Sequence, residues 1–268
     1  MTLLDKASFQ NQPAASKPEA PLRLTTSPPR PLGLFDQVSL WGNLGISLFG
    51  PVTGAFIAAT TGSLLAGLLA TVVGVALGAV VLGGAAVFCA ATGAPAMACM
   101  RGLFGLRGSY VPTLLNIAQN VGWATLEIIL IATAATAIVG DEWRWVFVLL
   151  AGAVATFMAI RPLGSVRTLR KYFVWLVLAA SIYLFVQVLR TPLGSVTDGG
   201  LSGFWIGVDI AVAAVVSFAP LAADYSRHSR SRRDAFGGSV IAYGLAALAY
   251  LALGVLAVAA LGTAGDTV

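Results

Sequence analysis

Long apolar runs alternate with short polar or charged connectors along this chain. Seven of the runs approach the roughly 20 residues that cross a bilayer core. They cover 38–61, 64–90, 111–139, 143–160, 172–190, 204–223 and 238–262. This pattern predicts an all-α membrane protein with seven transmembrane helices. Two runs are interrupted by a small residue followed by proline. The first reads S-L-F-G-P, Ser47 to Pro51, and the second S-F-A-P, Ser217 to Pro220. Proline removes a backbone donor and clashes with the preceding turn. In hydrocarbon the freed carbonyls need new partners, so such breaks persist only beside protein or a wet cavity. Paired interrupted helices in two halves of a chain point to a transporter's binding site. The second run also carries Gly74 and Gly78. Their spacing is either a close-packing face or the chance pattern of a glycine-rich helix.

Composition agrees with the membrane. Hydrophobic residues make up 58% and charged residues 10% of the chain, with mean hydropathy +0.88. A soluble domain carries about 25% charged residues. The net charge of +5 does not indicate a nucleic-acid partner, because the basic residues fall between apolar blocks. Arg101, Arg107, Arg161, Arg167, Arg170, Lys171, Arg227, Arg230, Arg232 and Arg233 occupy alternate connectors, while the other connectors hold only Arg144 and Arg190. This asymmetry predicts a multi-pass protein of the plasma membrane with a cytoplasmic N-terminus. Residues 1–37, rich in Pro, Ser, Thr and charge, are expected to form a disordered cytoplasmic tail. Cys89 and Cys99 are expected to be reduced packing residues.

The third run holds the sharpest polar pattern. Asn116, Asn120, Trp123 and Glu127 are spaced by four, three and four, which predicts one helical face. Glu127 lies well inside the apolar run, where an ionisable group is a functional-site hypothesis by default. Its carboxyl could sit protonated and donate a hydrogen bond, exchange a coupling proton, or pair with a neighbouring helix for packing alone. Trp123, one turn away, offers a flat apolar face, so the pair suits a small planar ligand. In the first run a break near Gly50–Pro51 would free carbonyls from Gly45 to Phe49, including Ile46 and Leu48, for a cation or ligand; a simple kink is the alternative. In the sixth run, Asp209 is either a pathway residue or a residue reaching the interface, and Ser217 and Phe218 are candidate ligand contacts. Asp224 and Arg227 are expected to form a local ion pair, and His228 to be a solvated surface histidine. No metal-ligand cluster, nucleophile–base pair or phosphate loop appears, which argues against an enzyme. A seven-helix receptor is disfavoured by the inside N-terminus and by the absence of lysine in 238–262.

These residues resemble the nucleobase–cation symporter-1 family of cytosine, purine and hydantoin permeases. The resemblance rests on W-G-N-L-G-I-S in the first run, R-G-L-F-G-L-R-G-S-Y-V-P before the third, G-W-x-x-x-E within it, and S-F-A-P-L-A-A-D-Y-S-R ending the sixth. It implies two inverted five-helix repeats, the first at 38–190 and the second beginning at 204–268. It implies a nucleobase substrate moved with Na+ or H+ by alternating access, no cofactor, and the lipid bilayer as surroundings. Trp123 would stack on the substrate. Glu127 stands where the family has an amide; it could pair with an exocyclic amine and ring N–H of cytosine or adenine, or carry a proton. Ser47, Phe49, Asn120, Ser217 and Phe218 would complete the substrate site, and the backbone of Gly45, Ile46, Leu48 and Phe49 would hold sodium. A family member needs about twelve helices, so this chain is expected to be an N-terminal portion.

Overall fold

The computed structural model describes residues 27–47, 49–160, 172, 174–193 and 200–265. Residues 1–26 of the expected tail, Leu48, the basic connector 161–171 and residues 266–268 lie outside the described residues. The structure is helical, and no strand occurs among the described residues. The first apolar run forms α1 (Leu34–Leu44) and α2 (Phe49–Thr61), bent by 57°. The second is α3 (Leu64–Thr92). Ser63 caps it, accepting from the N–H of Ala66, and Gly93 ends it in the left-handed conformation (φ 69°) that glycine adopts without cost. An unforeseen helix, α4 (Ala96–Gly108), precedes α5 (Tyr110–Val139). The fourth run is α6 (Arg144–Ile160) after a 3-10 turn. The fifth is α7 (Val174–Arg190), whose 17 residues span about 26 Å. The sixth divides into α8 (Phe204–Val216) and α9 (Ala219–Ser226). The seventh comprises α10 (Arg232–Gly237), a π-helical turn at Gly238–Tyr243, and α11 (Gly244–Gly265).

Both prolines sit differently from the expectation. The first break opens at residues 45–47, ahead of Pro51, which occupies the first turn of α2. There a missing N–H costs nothing, because the first turn has no intrahelical acceptor to offer. Ser47 Oγ caps this half-helix by accepting from Phe49 N–H at 2.9 Å. Pro220 likewise lies in the first turn of α9, after the Ser217–Phe218 interruption.

Glycines decide which helices pair. A Cβ on Gly54 of α2 would lie 2.0 Å from the Leu251 carbonyl of α11, and one on Gly254 would lie 2.0 Å from the Pro51 carbonyl. The two backbones therefore touch directly. Gly74 and Gly78 do the same for α3 against α8, facing Ala211 and Val215. Their spacing is thus a packing face, not chance. In a bilayer, where helices gain no hydrophobic drive toward each other, such close approach is what holds a bundle together. The first, second, sixth and seventh runs form the buried core, with Leu40, Trp41, Ile57, Leu82, Val215 and Val255 inside. In α5 only Ala132 and Thr136 are buried, and in α6 no residue is. The apolar outer faces of α5 and α6 suit lipid.

The end of the bundle that carries the arginine-rich connector is tied by polar contacts. Residues 28–33 run beside 228–230. Leu32 N–H donates to the His228 carbonyl (3.1 Å), and Arg230 N–H donates to the Leu32 carbonyl (2.8 Å). Order thus begins before the expected end of the tail at 37. His228 is 4% exposed, not solvated, and its Nδ1–H donates to the Pro29 carbonyl at 2.7 Å. Burial lowers its pKa; the bond to Pro29 opposes the shift and Arg227 adds to it. Gln37 donates to Ser229 Oγ (2.7 Å) and accepts from Trp41 Nε1 (2.8 Å), carrying the network into the core. Asp224 accepts from Ala96 N–H at 2.8 Å and so caps α4. Cys89 and Cys99 are free thiols with their Sγ atoms 3.8 Å apart.

Candidate functional site

The polar face of α5 meets both broken helices, with Gln119 rather than Asn120 as its second member. Asn120 is exposed and lies off the cleft lining. Gln119 points inward instead, and its Nε2 donates to the Ser217 carbonyl at 2.6 Å. This is the partner that the α8–α9 interruption requires. Ser217 Oγ donates to the Ala214 carbonyl at 2.7 Å, so both polar groups of Ser217 are engaged in holding the break. Asn116 is on the same face, with Oδ1 buried and unpartnered among the described residues.

One turn further along α5, Trp123 and Glu127 line a small cleft of about 40 Å³ with Gly45, Ser47, Phe49 and Phe218. Six of the expected site residues are therefore brought together. Ile46 does not line the cleft, and Leu48 lies outside the described residues. The Phe49 carbonyl accepts from Thr53 Oγ1 at 2.9 Å. Glu127 has no hydrogen-bond partner among the described residues. A volume of this size admits water but no heterocycle. Tyr243, which the residue pattern did not single out, also lines the cleft. It is buried at the end of the π-helical turn, 5.0 Å from the Phe218 ring and 6.1 Å from that of Trp41. Such turns frequently mark functional sites, and the hydrophobic pattern carries no signal for one.

Toward the opposite end lies a larger cleft of about 430 Å³, lined by Val52, Phe56, Asp209 and Ala213 among others. Phe49, Thr53, Trp123 and Ala214 line both clefts. The Phe49 and Trp123 rings meet edge to face, 4.8 Å apart at 88°. They form a two-ring partition between the two spaces.

A family model described as a permease for cytosine/purines, uracil, thiamine and allantoin matches residues 29–268. The chain belongs to this permease family. No curated protein and no solved structure matches it. The match spans all seven apolar runs, so the permease is a multi-pass membrane protein and a transporter, not an enzyme. Membership also sets aside the receptor reading. Among the described residues five helices are long and apolar enough to cross a membrane, or six if the bent α1–α2 pair is one span, against the seven expected from the apolar runs.

Proposed function

We propose that this permease carries a nucleobase such as cytosine or a purine across the plasma membrane by alternating access, coupled to Na+ or H+. The base stacks on Trp123 and hydrogen-bonds to Glu127, with the α1–α2 and α8–α9 breaks around it. One observation carries the reading: Trp123 and Glu127 open into the same cleft as residues of both breaks. When protonated, Glu127 donates to a ring nitrogen and accepts from the adjacent exocyclic amine, which complements the amidine edge of cytosine or adenine. Entry requires Phe49 to swing away from Trp123, since the closed cleft is far below the about 300–1,000 Å³ of ligand sites. A coupling sodium would use backbone oxygens at Gly45 and Ile46; a coupling proton would use Glu127.

The repeat organisation, 38–190 followed by 204–268, is supported by the pairing of helices. The first run packs on the seventh and the sixth on the second. Exchanging first with sixth and second with seventh converts one pairing into the other, as a repeat requires. The charge asymmetry supports a cytoplasmic N-terminus, which places the larger cleft on the outer side. The test is uptake of radiolabelled cytosine and purines by cells expressing the protein. Glu127→Ala should abolish uptake at unchanged surface amount, and undiminished uptake would remove Glu127 from the site.

A further inference from the structure

The larger cleft has a chemistry of its own. Asp209 is the one ionisable group among its lining residues. It stands five residues into α8, about 7.5 Å from the helix start at 1.5 Å per residue, inside an apolar span running Phe204–Ser226. A carboxylate at that depth needs a reason to be there. It has no hydrogen bond or ion pair among the described residues. The hydroxyl of Thr53, on the facing helix, is already bonded to the Phe49 carbonyl. The cleft's other walls are aliphatic and aromatic side chains. A ligand in this space therefore meets apolar surface and a single acceptor group. The volume of about 430 Å³ lies within the range of small-molecule sites. Its floor is the Phe49–Trp123 partition, so a molecule held here is already against the ring on which it is to stack.

We infer that Asp209 makes this cleft a selective waiting site ahead of the Trp123 site. It favours planar heterocycles that bear an exocyclic amino group over those, such as uracil and hypoxanthine, whose corresponding edge carries a carbonyl oxygen in its place. A carboxylate accepts from N–H donors and repels carbonyl oxygens, so discrimination arises from both attraction and mismatch. The inference rests on the nucleobase reading proposed above. The two clefts divide the work: Asp209 sorts by edge chemistry, and Trp123 with Glu127 holds what passes Phe49.

The test compares uptake kinetics of amino-bearing bases (cytosine, adenine, guanine) with uracil and hypoxanthine, in wild type and Asp209→Asn. The asparagine is isosteric but uncharged. The expected result is a rise of about tenfold in KM for amino-bearing bases, the scale of losing one hydrogen bond to a charged group, with little change for the carbonyl-only bases and maximal rate retained. An unchanged preference, or an equal change for both classes, overturns the inference. A second readout is independent of transport. With Cys89 and Cys99 replaced by alanine, Ala213→Cys, which lines the same cleft and keeps Asp209, should react with a membrane-impermeant thiol reagent, and cytosine should slow that reaction also when Trp123→Ala is present. No reaction, or no protection by cytosine, counts against the waiting site. If instead no nucleobase is taken up or competes in wild type, the underlying substrate reading fails, and not Asp209 alone.

Discussion

Replacing Gln119 by leucine removes one side-chain donor and keeps the volume. The bond it removes, 2.6 Å from Nε2 to the Ser217 carbonyl, satisfies the interruption between α8 and α9. Leaving a part-buried carbonyl without a partner costs about 1–3 kcal/mol, and cross-helix bonds in membranes average about 0.6 kcal/mol with a maximum near 1.7. The expected loss is therefore about 1–2 kcal/mol. For a chain of this size each kcal/mol corresponds to roughly 2–4 °C, so the unfolding temperature of detergent-purified protein should drop by roughly 2–8 °C. The loss should not stay local. Ser217 adjoins Phe218, which lines the small cleft, so nucleobase affinity should fall with stability. Asn120→Leu is the control, because Asn120 is exposed and one residue away. It should leave both quantities near wild type. Equal losses from the two variants, or none from Gln119→Leu, would refute this helix register.

Gly254→Ala should strongly impair folding, since its Cβ would meet the Pro51 carbonyl at 2.0 Å, while Gly84→Ala, with open space around it, should be neutral or slightly stabilising; thermal unfolding of the purified variants decides. Glu127→Gln imitates the protonated carboxyl, so it should keep nucleobase binding yet lose any dependence of binding on pH; loss of binding would favour the carboxylate as the recognising form. His228 is buried beside Arg227, Arg30 and Asp224, and its pKa is lowered. Folding around a group with a lowered pKa is favoured fully above the ordinary histidine value of about 6.5 and loses that contribution as pH falls below it. Hydrogen-exchange protection of residues 28–33 should therefore drop between about pH 7 and 5, and drop less in His228→Gln.

The helices were legible because membrane spans announce themselves as uninterrupted apolar runs. That Trp123 and Glu127 open into one cleft was legible because an acid in hydrocarbon stands out. Finer features were not. One residue along a helix is a rotation of about 100°, so Asn120 and Gln119 compete for one inward position, and spacing alone favoured the wrong one. The interruptions were foretold by their prolines, yet each proline sits in the first turn of the following half-helix, where its missing donor does no harm. α4 lies between Pro95 and Gly108 and carries Arg101 and Arg107, which reads as a connector. His228 sits among arginines, which suggests solvent, but the Pro29 carbonyl and the chain at 28–33 cover it. That contact joins residues 199 positions apart, and no local pattern encodes it.

The central claim is that Trp123 is the platform for a nucleobase. Equilibrium binding of tritiated cytosine, adenine and uracil to purified protein tests it most directly, comparing wild type with Trp123→Phe and Trp123→Ala. Base–aromatic stacking is worth about 1–3 kcal/mol, so affinity should fall by roughly tenfold to a hundredfold in Trp123→Ala, and less in Trp123→Phe. Saturable binding that is equally tight in wild type and Trp123→Ala would contradict the account.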